Sequence, residues 1–215
     1  KLLPATELLS KEAIVLTAIF FPLSAVISAV PVQLITGVPY TDALFECIAG
    51  ITTTGLSVMP TIVDPVFLFF RSWLQWIGGL GIIIVVLLIF LKPDTSAFIL
   101  YETQDSTRVV KPGVIATAMM FGRVYIAITL LAFGLFWAGG MIPFDALCHA
   151  LSAVSTGGFS TKSGSIADFS GLLIPGMLCV VMVLGGTDFS IFHELFEDPK
   201  KLFRDVQLRY FALLA

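Results

Sequence analysis

Charged residues are scarce in this chain of 215 residues. Only 13% are Asp, Glu, Lys or Arg, whereas soluble domains average about 25%, and the mean hydropathy is +0.99. A helix that crosses a bilayer needs roughly 20 apolar residues. Four charge-free stretches approach or reach that length, namely 13–32, 73–91, 124–142 and 169–187. We therefore predict an all-α, multi-pass membrane protein.

Catalytic and nucleic-acid-binding motifs are also missing from the sequence. It contains no G-x-S-x-G or H-E-x-x-H motif, no paired carboxylates in the apolar stretches, and no basic patch with interleaved aromatics. The three cysteines lie far apart in apolar segments, which predicts buried thiols rather than a disulfide framework. We expect no enzyme activity, no cofactor, no nucleic-acid partner and no cleavable signal peptide.

Two further apolar stretches, 43–63 and 144–161, raise the question of whether they span the membrane. If both re-enter on the side they came from, nine of the twelve positive residues share one face: Lys1, Lys11, Lys92, Arg108, Lys111, Lys200, Lys201, Arg204 and Arg209. If 43–63 spanned instead, three of these would move outside. The positive-inside rule therefore favours re-entrant segments.

The two re-entrant segments are similar in sequence. "DALFECIAGITTTGLSV" (42–58) aligns without gaps on "DALCHALSAVSTGGFST" (145–161), with six identities in seventeen columns. A glycine pair follows in each half, Gly78-Gly79 and Gly185-Gly186. This pattern predicts an internal repeat of span, re-entrant loop and span.

Each re-entrant segment predicts a short helix followed by irregular backbone. Asp42 and Asp145 suit an N-cap, and the negative C-terminal end of each helix would favour a cation. "TTTG" and "STGG" then leave the helix, and such backbone is tolerated at membrane depth only in protein or beside a water-filled cavity. Its carbonyls can replace the hydration shell of an ion, while Gly55 and Gly158 permit the backbone angles. Alternatively, these are polar loops with hydroxyls bonded back to helix carbonyls.

The chain resembles the Trk/Ktr/HKT superfamily of potassium transporters, and most closely its TrkH-type membrane subunit. The matching segments are "DALFECIAGITTTG", "RSWLQWIGGLGIII", "IPFDALCHALSAVSTGGFST" and "LGGTDFSIFHELFEDPKKLFRDVQLRYF". The resemblance implies a potassium-channel-like architecture of four helix–pore-loop–helix repeats in pseudo-fourfold symmetry around one pore. It also implies K⁺ binding by backbone at Thr53, Thr54, Gly55, Thr156, Gly157 and Gly158, with Thr52 and Ser155 as candidates for the inner position.

Only two of the four repeats are present in this sequence. We predict the first repeat over 1–92, a cytoplasmic link over 93–112, the second repeat over 113–192, and a cytoplasmic tail with the start of a further span over 193–215. A lone copy cannot close a four-sided filter, so we expect the chain to be a fragment; the alternative is an assembly of two copies. The resemblance further implies a homodimer of full subunits and a cytoplasmic nucleotide-binding regulatory subunit.

Arg71 and Glu46 are the charged residues with a candidate role beside the pore. A charge inside a span is costly and often functional, so Arg71 is a candidate for bracing the pore loops through Glu46. The alternative is that its side chain extends to the outer interface.

We therefore expect potassium uptake across the cell membrane through a filter of backbone carbonyls. The alternative function is an ion-coupled secondary transporter with broken helices at a midplane site, which predicts inverted repeats. A non-conducting membrane scaffold would leave the two threonine–glycine loops unexplained.

Overall fold

The first repeat consists of two long helices with a short helix between them. The computed structural model describes residues 10–59, 64–90, 114–169, 171–187, 189 and 192. Helix α1 covers Ser10–Thr36, the short helix α2 covers Tyr40–Ile51, and α3 covers Pro65–Phe90. Stretch 43–63 is therefore not one spanning helix, because α2 ends at Ile51 and non-helical backbone follows.

The second repeat has the same order of elements. Helix α4 covers Val114–Ala138, the short helix α5 covers Pro143–Val154, and α6 covers Leu173–Gly185. A single 3-10 turn, Ser165–Asp168, lies between α5 and α6. The described residues contain no strand, so the predicted all-α class holds for this part of the chain. The predicted link 93–112 and tail 193–215 lie outside the described residues.

Among the residues that the structure describes, three helices are long and apolar enough to cross a membrane, over Val15–Thr36, Pro65–Val85 and Ala118–Ala138. Large apolar side chains cover their outer faces; Leu34 is 80% and Leu130 is 65% exposed. Exposure on this scale marks a surface made for lipid or for another protein. The fourth predicted span differs, because its helix is only 13 residues long, about 20 Å at 1.5 Å per residue.

Small residues let the helices of each repeat approach one another closely. In the first repeat, Ala25 and Ala29 of α1 are completely buried and pack with Ala43 and Cys47 of α2. The core of the second repeat likewise includes Ala132, Ala146 and Ala150. Such small-residue contacts are typical of helix packing in membranes.

Helix α3 joins the two repeats, since it packs on α5 and α4 as well as on α1 and α2. Trp76 of α3 donates its indole N–H to Thr129 Oγ1 at 3.0 Å, and Tyr125 donates its hydroxyl to the Trp76 carbonyl at 3.1 Å. The short helices α2 and α5 both pack on α3, which helps to position the loops that follow them.

The cysteine prediction holds for two of the three thiols. Cys47 and Cys148 are free and buried, whereas Cys179 is free but exposed on α6. The error at Cys179 arises because an apolar neighbourhood in sequence does not say which face of a membrane helix is covered by protein.

Candidate functional site: two matched loops at the ends of half-length helices

The short helices α2 and α5 end in the same hydrogen-bonded turn. Thr53 N donates to Gly50 O at 2.9 Å and Thr54 N to Ala49 O at 2.9 Å. At the matching positions, Thr156 N donates to Ala153 O at 3.0 Å and Gly157 N to Ser152 O at 2.8 Å. This pair of bonds is a Schellman motif, which satisfies two helix-end carbonyls and turns the chain sharply away.

Both loops place a threonine and a glycine in left-handed backbone. The φ angle is 55° at both Thr53 and Thr156, 74° at Gly55 and 89° at Gly158. Glycine adopts such angles without strain, but a β-branched residue there is an outlier. Strained backbone of this kind concentrates at functional sites, and here it recurs at matching positions of the two repeats.

The loop carbonyls are left without internal partners. No described residue donates a hydrogen bond to a carbonyl oxygen of 52–55 or 155–158. Each backbone oxygen normally finds a partner when it is removed from water. Eight backbone oxygens at two matched helix ends thus accept no hydrogen bond within the described part of the chain.

The hydroxyl groups behave partly as the polar-loop alternative predicts. Thr52 Oγ1 donates to Ile48 O at 2.7 Å, so the 2.8 Å contact with Thr54 Oγ1 is a bond that Thr54 donates. Ser155 Oγ contacts Leu151 O and Ser152 O, each at 3.0 Å. The hydroxyl protons of Thr52 and Ser155 thus bond back to the helices, while their backbone carbonyls stay unpaired.

A side chain from each short helix holds the backbone just beyond its loop. Glu46 Oε1 accepts from Ser57 Oγ at 2.6 Å and from Val58 N at 2.7 Å. The matching residue His149 has Nε2 3.0 Å from Ser160 Oγ and Nδ1 2.7 Å from the Asp145 carbonyl. Because a carbonyl only accepts, Nδ1 carries a proton, and both ring nitrogens are used in scaffolding.

The predicted N-caps are wrong. Pro39 and Ile142 occupy the N-cap positions, and neither helix has a side-chain cap bond. Asp42 and Asp145 lie three residues further on, in the first turn, where a negative charge still complements the helix dipole. Asp145 accepts a hydrogen bond from Thr161 Oγ1 at 2.7 Å and pairs with Lys162 Nζ at 2.8 Å. It therefore anchors the segment that follows its loop.

Arg71 is buried behind the loops and does not extend to an interface; it is 3% exposed. Its Nη2 donates to the carbonyl of Ser160, and its guanidinium lies 4.7 Å from the centroid of the Phe159 ring. Nη1 is 3.8 Å from Glu46 Oε2, an ion pair without a hydrogen bond. Arg71 therefore contacts the second loop directly and the first through Glu46.

The glycine pairs lie against the same loops. A Cβ on Gly78 would overlap the carbonyl of Ile51, and a Cβ on Gly185 would overlap that of Val154. These two carbonyls belong to the last residues of α2 and α5. A Cβ on Gly79 would lie 2.9 Å from Ser155 Cβ in the other repeat, so each helix backbone approaches a loop more closely than any larger residue permits.

A cavity of about 420 Å³ opens beside Thr53 and Thr156. Gly79 of α3, Gly185 at the end of α6, and the aromatic rings of Phe121 and Tyr125 of α4 are among the residues that line it. The cavity has mostly apolar walls and meets both loops at their strained threonines.

Gln75 is the residue that sequence analysis missed. It is fully buried on α3 and its amide contacts the loop of the second repeat. The available signal was helical spacing, since Arg71, Gln75 and Gly79 are four residues apart and share one face of an otherwise apolar helix.

A family model described as TrkH, cation transport protein, matches residues 7–215. The chain belongs to the TrkH family. This TrkH-family chain is 33% identical over 204 residues to an uncharacterized cation transporter of Methanocaldococcus jannaschii, a match that covers 93% of the chain and 42% of that protein. It is 30% identical over 219 residues to the Trk system potassium uptake protein TrkG of Escherichia coli, covering 97% of the chain and 45% of TrkG.

The fold agrees with a solved structure of the family. The crystal structure of the potassium transporter TrkH from Vibrio parahaemolyticus matches with a TM-score of 0.81 and 26% identity, over 97% of this chain and 44% of that one. The predicted membrane fold and the predicted family are thereby confirmed. The chain spans less than half the length of these relatives.

Proposed function

We propose that this chain forms part of a potassium uptake pathway in the cell membrane, with K⁺ bound by backbone oxygens of Thr53, Thr54, Gly55, Thr156, Gly157 and Gly158. The observation that carries the proposal is the set of unpaired carbonyls at two matched helix ends. The similar protein TrkG of Escherichia coli is a potassium uptake protein, and potassium fits this site because carbonyl oxygens can replace the hydration shell of K⁺.

The electrostatics of the two loops favour a cation. The C-terminal ends of α2 and α5 lead into the two loops, and each carries roughly half a negative charge from its helix dipole. The membrane potential favours inward movement by about 2.3 kcal/mol per charge per 100 mV. The apolar cavity beside Thr53 and Thr156 offers space for the ion to continue beyond the loops.

Arg71 and Glu46 are proposed as supports of this pathway rather than as ion ligands. The carboxylate of Glu46 is occupied by Ser57 and Val58, and the guanidinium of Arg71 by the Ser160 carbonyl. The pair therefore holds both loops from behind.

Two further strands are needed to complete a four-sided filter. A homodimer of full subunits and a nucleotide-binding regulatory subunit are proposed as partners on the family resemblance.

The test exchanges each filter glycine for serine and measures ion uptake. The gene that encodes this chain is expressed in bacteria that lack their own potassium uptake, and rubidium flux is measured against sodium at equal abundance in the membrane. Gly55→Ser should abolish uptake, because a Cβ there overlaps the Gly157 carbonyl and φ is positive. Gly158→Ser meets no atom within 4 Å and has only the strain of φ 89°, so it should keep uptake with weakened selectivity.

Gly134→Ser is the matched control, since this helical glycine has free space around it and ordinary backbone angles. It should transport like the unmodified protein. Normal uptake and normal potassium selectivity in both filter variants would refute the assignment of these loops as the ion-binding site.

A further inference from the structure

Gln75 belongs to the first repeat but lies inside the loop of the second. Its side chain is 0% exposed, on a helix otherwise composed of apolar and small residues at that depth. Burial of an amide in such surroundings is unfavourable unless it has hydrogen-bond partners. The hydrogen-bond partners of the Gln75 amide therefore indicate which parts of the chain it positions.

The amide oxygen of Gln75 fixes two points of the second repeat. Ser152 Oγ donates to Oε1 at 2.7 Å, and Phe159 N donates to the same atom at 3.3 Å. A backbone N–H can only donate, so the oxygen must face Phe159 and the orientation of the amide is settled by this bond. Ser152 is on α5 and Phe159 directly follows Gly158, so the bonds lie on either side of the "STGG" loop.

Gly157 leaves the space that the Gln75 amide fills. A Cβ at position 157 would lie 2.6 Å from both Oε1 and Nε2. Gly157 is not among the positive-φ residues, so its backbone would accept another amino acid. The glycine is therefore required by Gln75 and not by the turn, which distinguishes it from Gly55 and Gly158.

The amide nitrogen faces the other loop. Nε2 lies 3.4 Å from the place of a Cβ on Gly55, and it is buried with no hydrogen-bond partner among the described residues. The same Gly55 position abuts the carbonyl of Gly157. One amide thus lies against both loops where they come closest.

We propose that Gln75 is a positioning residue that sets the second filter strand against the first and thereby determines ion selectivity. This inference rests on the proposed function and names a residue outside the loops. Gln75 has no counterpart in the second repeat. Gln75 precedes Gly78 by three residues, and the residue at the same distance before Gly185 is Met182, which has no amide. Accordingly Thr54, the counterpart of Gly157, keeps its side chain.

The first experiment replaces the amide by a side chain of similar length. Gln75→Met should leave rubidium uptake within about threefold of normal and reduce the preference for rubidium over sodium at least tenfold, measured at equal abundance in the membrane. Gln33→Met, at an exposed glutamine of α1, is the control and should change neither. Unaltered selectivity in Gln75→Met would overturn the proposal.

The second experiment tests the pairing of Gln75 with Gly157. Gly157→Ala should lose at least tenfold of uptake, and adding Gln75→Ala should restore most of it, without normal selectivity, because the overlapping atoms are gone. A double variant no better than Gly157→Ala would show that the glycine is needed for another reason. If Gly55→Ser and Gly158→Ser change uptake or selectivity while Gln75→Met transports normally, only the positioning role of Gln75 is refuted. If all three variants transport normally, the assignment of the filter itself is refuted.

Discussion

At the scale of single residues, Thr53 and Thr156 are the least expected feature. Each follows a helix in left-handed backbone at φ 55°, a position where helices usually end in glycine. The side-chain hydroxyls of Thr53 and Thr156 make no hydrogen bond in the described part of the chain. No such bond therefore explains a threonine at either position. No side-chain hydrogen bond within the described residues thus offsets the strain at these two positions.

Thr156→Gly should therefore stabilise the protein while impairing the site. Left-handed backbone costs a non-glycine residue about 1–2 kcal/mol, and the added chain entropy of glycine offsets about 0.5–1 kcal/mol of that gain. We expect a higher melting temperature in detergent and a net gain of about 0.5–1 kcal/mol. Thr156→Val keeps both the branching and the strain and is the control. A glycine variant that melts at a lower temperature than the valine variant would contradict this account.

The positions of the two loops could be predicted from the sequence, but the distant residues that contact them could not. The repeated Thr and Gly positions follow from an ungapped alignment of seventeen columns. The contacts of Gln75 with Ser152 and Phe159 span 77 and 84 residues, and no local pattern encodes such a separation. The prediction of Asp42 as the N-cap is wrong because the N-cap is Pro39, three residues earlier, and sequence patterns leave helix boundaries uncertain by a few residues.

At the scale of elements, the short helices depend on close approach by the helix that follows each of them. Gly78 faces the terminal carbonyl of α2, and Gly185 faces that of α5. The apolar runs predicted these long helices well, because an apolar segment of membrane length has few other stable structures. They did not predict the shortness of α6, since residues 169–172 carry no charge and therefore did not interrupt the predicted span.

Gly78→Ala should destabilise the first repeat. The added methyl would overlap backbone that cannot move aside, and overpacking of this kind costs about 1–3 kcal/mol. Gly81→Ala, one turn later on the same helix, meets only Phe21 Cζ at 3.6 Å, and it should be neutral or gain about 0.5–1 kcal/mol from better helix propensity. Thermal unfolding of the purified protein compares the two, and equal melting temperatures would argue against the close contact.

At the scale of the whole molecule, buried polar groups on α3 bind the repeats into one unit. Arg71 reaches the Ser160 carbonyl across 89 residues of sequence while pairing with Glu46 in its own repeat. A buried ion pair is weak evidence of stability as such, but removal of one partner leaves an uncompensated charge. Arg71 therefore links Glu46 of the first repeat to the segment that follows the loop of the second.

Arg71→Met should lower the stability and the membrane abundance of the protein severely, by about 3–5 kcal/mol, because Glu46 is left buried and unpaired. The double variant with Glu46→Gln should recover part of the loss, since the amide oxygen still accepts from Ser57 and Val58. A thermodynamic cycle over the two singles and the double measures this coupling. Additive effects would show that the two side chains do not act as a pair.

The two loops are alike in backbone and unlike in support: Glu46 holds one and His149 the other, and Gln75 has no counterpart at Met182. In a ring of identical chains every codon change is copied around the ring, so the walls of the pathway can only change together. Here a single base change can alter the side chain that supports one loop and leave the support of the other loop unchanged. In the proposed filter, evolution can thus adjust the preference for one ion over another in small, separately selectable steps.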